Sequence, residues 1–212
     1  MKLFKSFNSK GFLLLYLVVF ASLLLVWLFQ VEQKQTDNRE IPPSLAPVLR
    51  SPPAALDQFL LYSDTREVLT EQSLRGKWTY VYFTHPACLP QCEPVLSVMQ
   101  NLQQLAATSE IQFVSINFDP DQDTQRPEWW LENTPSLPLY GGNKAVIVAL
   151  ADKFEFLHLR TTLDKGYSLE QQHSVFLVDP KARVYARFDP PFSSPLIQQQ
   201  FLAIRQFYAR SE

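Results

Sequence analysis

The sequence predicts an α/β fold, a central mixed sheet flanked by helices, set behind one N-terminal transmembrane helix. Three observations predict it: an uncharged apolar run near the N-terminus, alternating β and α patterns from residue 56 onward, and the turn tetrad Asp179-Pro180-Lys181-Ala182 between two late strands.

The apolar run is Phe12 to Phe29, 18 residues without a charge. At about 1.5 Å per residue it reaches about 27 Å as a helix, close to a hydrocarbon core of about 30 Å. Lys2, Lys5 and Lys10 precede it and no acidic residue falls in the first thirty, whereas Glu32, Lys34, Asp37, Arg39 and Glu40 follow with an acidic balance. The positive-inside bias puts residues 1–11 in the cytoplasm and residues 12–30 across the bilayer. A cleaved signal peptide is disfavoured, because Val26-Trp27-Leu28-Phe29-Gln30 offers no small-x-small site. No Arg-rich amphipathic presequence leads in, so the expected location is a bacterial inner membrane with the C-terminal domain in the periplasm. Residues 31–55 carry Pro42, Pro43, Pro47, Pro52 and Pro53 and no glycine, which reads as a semi-extended tether. Residues 56–212 then suffice for one domain.

Within that domain Trp78 to Thr84 is a β-branched and aromatic run with little polar relief, as a doubly covered central strand reads. Val95, Val98, Met99, Leu102, Leu105 and Ala106 recur at helical spacing, with Pro94 tolerated in the first turn. Ile111 to Phe118 is a second strand, and Asp123-Thr124 opens a helix through Glu128 to Leu131. Gly141-Gly142 turns the chain into a helix over Asn143 to Phe154. Ser174 to Val178 and Arg183 to Phe188 form a hairpin, and Ile197, Phe201, Ile204 and Tyr208 stripe a final helix. A β-α-β half followed by a β-β-α half is the thioredoxin-like layout.

Charge and cysteine count exclude several functions. Nineteen basic against twenty-one acidic residues give a formal charge of -2, without the positive field of a nucleic-acid binder. Two cysteines exclude a multi-disulfide scaffold and a four-cysteine zinc module. Asp119, Asp121 and Asp123 alternate as in calcium loops, but the glycine and the later glutamate are missing, so they read as a structured loop. Trp129, Trp130, Tyr140 and Phe192 read as packing rather than as a ligand pocket.

The chemistry concentrates in Phe83-Thr84-His85-Pro86-Ala87-Cys88-Leu89-Pro90-Gln91-Cys92. Cysteines four apart at a helix start place both sulfurs on one side, where free N–H groups and the helix dipole lower thiol pKa. A disulfide over so small a loop contributes only about 2 kcal/mol by chain entropy, so stapling is a weak explanation. Cys88 and Cys92 are therefore read as a redox pair or as soft ligands suited to copper(I) or zinc. A metal needs one more donor, and His173 is the best candidate because its strand is predicted to neighbour the Trp78 strand. His85 is near in sequence to the pair, and His158 reads as an ordinary strand or loop residue.

These residues resemble the Sco (SenC) family of membrane-anchored copper proteins with a thioredoxin fold. The resemblance runs over residues 56–210, through Phe-Thr-His at the strand end, the CxxxC pair, SINFDPDQDT at 115–124, GGNKAVIVALADKF at 141–154 and HSVFLVDP at 173–180. It implies that Cys88, Cys92 and His173 bind copper. It further implies delivery of copper to the binuclear copper site of cytochrome c oxidase subunit II or another copper-accepting protein, or control of the redox state of that site's cysteines. The family usually has a cysteine directly after the histidine, whereas here Pro86-Ala87 intervene, and Ala182 stands where glycine is common. A thiol-disulfide oxidoreductase is the alternative, although CxxC is absent and Gln171-Gln172-His173 replaces the proline such enzymes carry before the later strand. A peroxiredoxin, whose Thr-x-x-Cys spacing is off by one, and a purely structural membrane-tethered module rank below both.

Overall fold

A computed structural model describes residues 15–27, 40–106, 109–119, 121, 125–134 and 136–212. They fall into two compact units, one of residues 43–203 and one of residues 1–42 with Ile204–Glu212. In the latter, residues 15–27 form helix α1, exposed along its whole length. Residues 12–14 and 28–30 of the expected anchor lie outside the described residues, and among those described no helix is long and apolar enough to cross a membrane.

The larger unit is built on an eight-stranded sheet. Its strands are β1 (Leu49–Ala55), β2 (Leu60–Ser63), β3 (Val68–Thr70), β4 (Trp78–Thr84), β5 (Ile111–Asn117), β6 (Leu139–Gly141), β9 (Val175–Val178) and β10 (Arg183–Phe188). Their spatial order is β1-β10-β9-β4-β5-β6-β2-β3. β4 runs parallel to β5 and β5 to β6, while β9 and β10 return antiparallel, so the sheet is mixed. All seven residues of β4 are buried, as expected of a central strand covered on both faces.

Strand alternation sends Val81 and Phe83 to one face, where they meet Ile147, Leu150, Ala151 and Phe154 of helix α5 (Lys144–Phe154). Trp78, Tyr80, Tyr82 and Thr84 point to the other. There Trp78 and Tyr80 lie against Phe201 of helix α6 (Ser194–Ser211), with ring centroids 5.6 and 5.5 Å apart. Helix α3 (Glu93–Leu105) buries Val95, Leu96, Met99 and Leu102. Asn143 caps α5 by accepting from the Val146 N–H at 3.0 Å. A Cβ on Gly142 would lie 2.6 Å from Leu61 Cδ2 and 3.3 Å from the Leu60 carbonyl, so only glycine fits the turn into that helix. In the late hairpin the buried Asp179 carboxylate accepts from the Lys181 and Arg183 N–H groups and pairs with the Arg183 guanidinium. Ala182 takes the left-handed conformation there, with φ 59°.

Several expectations change. Residues 49–55, read as the end of the tether, are β1, paired antiparallel with β10. Proline count misleads here because β1 is an edge strand, where a missing N–H need cost no ladder bond. The short helix α4 (Glu128–Asn133) has Pro127 as its N-cap residue, and Asp123-Thr124, expected to open it, lie outside the described residues. Short helix α2 (Glu71–Leu74), held by a Thr70/Ser73 capping box, joins β3 to β4. Trp130 and Tyr140 are buried, and the Trp130 indole N–H donates to the Leu137 carbonyl at 3.0 Å. The remaining strands, β7 (His158–Thr162) and β8 (Tyr167–Gln171), form a separate antiparallel hairpin between α5 and β9.

Candidate functional site

The site lies at the C-terminal end of β4, where the chain leaves a parallel strand and turns into α3. The Cys88 N–H donates to the His85 carbonyl at 3.1 Å and the Cys92 N–H to the Cys88 carbonyl at 3.3 Å, which coils the loop so that both cysteines face one way. Cys92 is the N-cap residue of α3 and Pro94 occupies its first turn. Cys88 and Cys92 are joined as a disulfide and both are buried. The Thr84 hydroxyl, on the inner end of β4, donates to Cys88 Sγ at 3.2 Å.

His173 approaches from the other side. Tyr82 and Val175 are register partners of β4 and β9, which carries the residue two before Val175 to the level of the β4 terminus. Its Nδ1 lies 2.8 Å from the Tyr82 hydroxyl, leaving Nε2 as the other donor atom. Tyr82 is fully buried, and burial pushes its phenol well above its ordinary value. Gln171 donates through Nε2 both to that hydroxyl at 3.2 Å and to the Phe83 carbonyl at 2.7 Å.

Cys88, His85 and His173 line one cavity of about 670 Å³, which residues 165–171 of the β7–β8 hairpin also line. His85 is 7% exposed, its Nδ1 has no hydrogen-bond partner, and its ring meets Phe118 edge-on. Burial pushes the His85 pKa down, Asp119 pulls against that, and His173 adds to the depression. His173 is likewise depressed by burial. His158 stands apart on exposed β7, stacked on Phe156, and does not line this cavity.

Two aspartates of the 115–124 segment, Asp119 and Asp121, contact the hairpin, while Asp123 lies outside the described residues. Buried Asp119 accepts from the Tyr167 hydroxyl at 2.6 Å, and Asp121 pairs with Arg160, whose guanidinium lies 3.8 Å from the Tyr167 ring centre.

The structure thus brings all three expected site residues to one loop-and-cavity region, with the two sulfurs bonded to each other. Among the described residues no group of three or more His, Cys, Asp or Glu side chains is arranged to hold a metal ion. Reduction is what would release the sulfurs: the disulfide takes two electrons and two protons and yields two thiols. Thr84 and Cys88, paired in the sequence only as an off-by-one Thr-x-x-Cys, do touch, whereas Tyr82 and the Asp119–Tyr167 contact were missed. Tyr82 sat inside a run that reads as apolar strand, and the partners of Asp119 and Gln171 are set only by tertiary pairing.

A family model described as SCO1/SenC matches residues 49–204. A SCO2-like protein of Rickettsia typhi is 24% identical over 139 residues, which cover 62% of this chain and 68% of that protein. Among solved structures, Arabidopsis thaliana ScoI with copper bound superposes with a TM-score of 0.59 at 22% identity, covering 71% of this chain and 98% of that one. BsSco, described as a member of the Sco family of cytochrome c oxidase assembly proteins with a disulfide switch, gives 0.57 at 18% identity, covering 77% and 97%. At these identities the structural likeness establishes a shared thioredoxin-type fold.

Proposed function

The chain belongs to the SCO1/SenC family, and on that premise we propose that its reduced form carries one copper(I) ion on Cys88, Cys92 and His173. Its role is to pass that ion to the binuclear copper site of cytochrome c oxidase subunit II. Residues 12–30 anchor it in a bacterial inner membrane with the domain in the periplasm, a reading supported by the lysines that flank only the N-terminal side of the apolar run.

The observation that carries the proposal is the shared cavity: Cys88 and His173 come to it from different elements, and the His173 Nδ1 is already engaged. A partner dithiol first reduces the Cys88–Cys92 disulfide and is itself oxidised to a disulfide. The two thiols lose their protons to bind copper, helped at Cys92 by the start of α3. Thr84 supplies a hydrogen bond to Cys88 Sγ. Two thiolates and one imidazole suit copper(I) and leave room for an acceptor's ligand to enter before the first three leave.

Anaerobic copper(I) titration of the reduced full chain in detergent tests this. One ion per chain is expected, with Cys88→Ser, Cys92→Ser and His173→Ala each weakening binding far more than His158→Ala. If His85→Ala weakened binding and His173→Ala did not, His85 would replace His173 in the ligand set.

The closed disulfide favours a second reading, a thiol-disulfide oxidoreductase acting on the cysteines of the same acceptor. His173→Ala separates the two, since exchange needs only an attacking and a resolving thiol. A carrier lacking His173 loses support of oxidase assembly at limiting copper, whereas a reductase keeps it. Near-normal oxidase activity in such cells would reject the carrier.

A further inference from the structure

The Tyr82 hydroxyl is buried between two side chains that come from one short stretch, Gln171 and His173. A buried phenol needs one hydrogen-bond partner, and this one has two. Gln171 is itself pinned, because the same amide nitrogen donates to the Phe83 carbonyl of the central strand. The phenol oxygen is therefore fixed relative to β4, and the imidazole that bonds to it is fixed in turn. The rings of Tyr82 and His173 have centroids 6.4 Å apart, so what tells one ring nitrogen from the other is the 2.8 Å contact of Nδ1 with the hydroxyl.

An imidazole has two ring nitrogens and can give only one to a metal while the other keeps a hydrogen bond. We propose that Tyr82 is the positioning residue that reserves Nδ1 of His173 and so presents Nε2 alone to copper. This rests on the reading of His173 as a copper ligand. In the loaded protein Nδ1 carries the proton and donates it to the Tyr82 oxygen, which makes the ring a better electron donor at Nε2. Gln171 acts one step further out, by holding the hydroxyl in place.

The proposal is separable from a packing role by spectroscopy. In the reduced full chain in detergent, with nitrogen-15 histidine and copper(I) added anaerobically, the His173 signal is expected as one species, protonated at Nδ1 and metal-bound at Nε2. Tyr82→Phe keeps the ring and removes the hydroxyl. It should split that signal between Nε2-bound and Nδ1-bound forms and weaken copper(I) affinity, read by competition with a chelator, on the order of 10- to 100-fold. Gln171→Leu leaves Tyr82 and its contact with His173 intact but removes the other partner of the hydroxyl, and should broaden or split the same signal with a smaller loss. It carries the test if Tyr82→Phe disturbs the fold. A single Nε2-bound species and parental affinity in these variants, with His173→Ala weak, would overturn the positioning role alone. Parental affinity in His173→Ala would overturn the ligand reading beneath it.

Discussion

His85 and His173 share a cavity, and burial depresses both pKa values below the ordinary histidine value of about 6.5. Between the folded and unfolded values the unfolded chain holds more protons, so stability rises with pH across that window. Above about 6.5 both states are neutral and the difference vanishes, whereas acidification through the window favours unfolding. The denaturant midpoint of the oxidised, copper-free protein should therefore fall between pH 7.5 and pH 5, and His85→Gln should flatten the slope. A midpoint equally steep in His85→Gln would show that other groups carry it. Of these residues, the place of His173 beside Cys88 was legible in the sequence because its strand was expected to neighbour the Trp78 strand. Tyr82 was not, since a tyrosine in WTYVYFT looks like strand packing until the register with β9 sets Gln171 and His173 beside it. The burial of His85 was equally hidden, being set by contact with Phe118.

At the scale of elements, β4, β5, α3, α5 and the β9–β10 hairpin were all legible, because each buries a long apolar pattern of one period. The β7–β8 hairpin was not: every residue of β7 is exposed, so burial leaves no trace in its sequence. The hairpin is tied down by Tyr167 to Asp119, Arg160 to Asp121, Gln171 to the Phe83 carbonyl and Leu169 packed against the core. Tyr167→Phe takes a hydrogen bond from the buried Asp119 carboxylate and should cost about 1.5 to 3 kcal/mol, loosening the hairpin locally. The expected result is earlier hydrogen exchange along residues 158–171 and several-fold faster reduction of the Cys88–Cys92 disulfide by a small dithiol. An unchanged reduction rate would show that the hairpin does not limit access. Gly142→Ala forces a methyl against fully buried Leu61 and should cost about 1 to 3 kcal/mol, read as a lower denaturant midpoint.

For the whole molecule, the sequence separates an apolar N-terminal run from a mildly acidic domain, and topology is the property to measure. Alkaline phosphatase fused after Glu212 should be active and a cytoplasmic reporter at the same point silent, whereas the reverse would reject the periplasmic assignment. The thioredoxin-type layout was legible as a whole, but its border was not: two prolines pointed to a linker where the chain already pairs with β10. Those same prolines affect how copies of the protein meet one another. A sheet of eight strands has two open rims, and an open rim invites a second molecule to continue the ladder. Here one rim is β1, with Pro52 and Pro53 unable to donate, and the other is β3, only three residues long. Crowded copies meeting rim to rim thus find too few donors at one border and too short a template at the other to zip into a shared sheet.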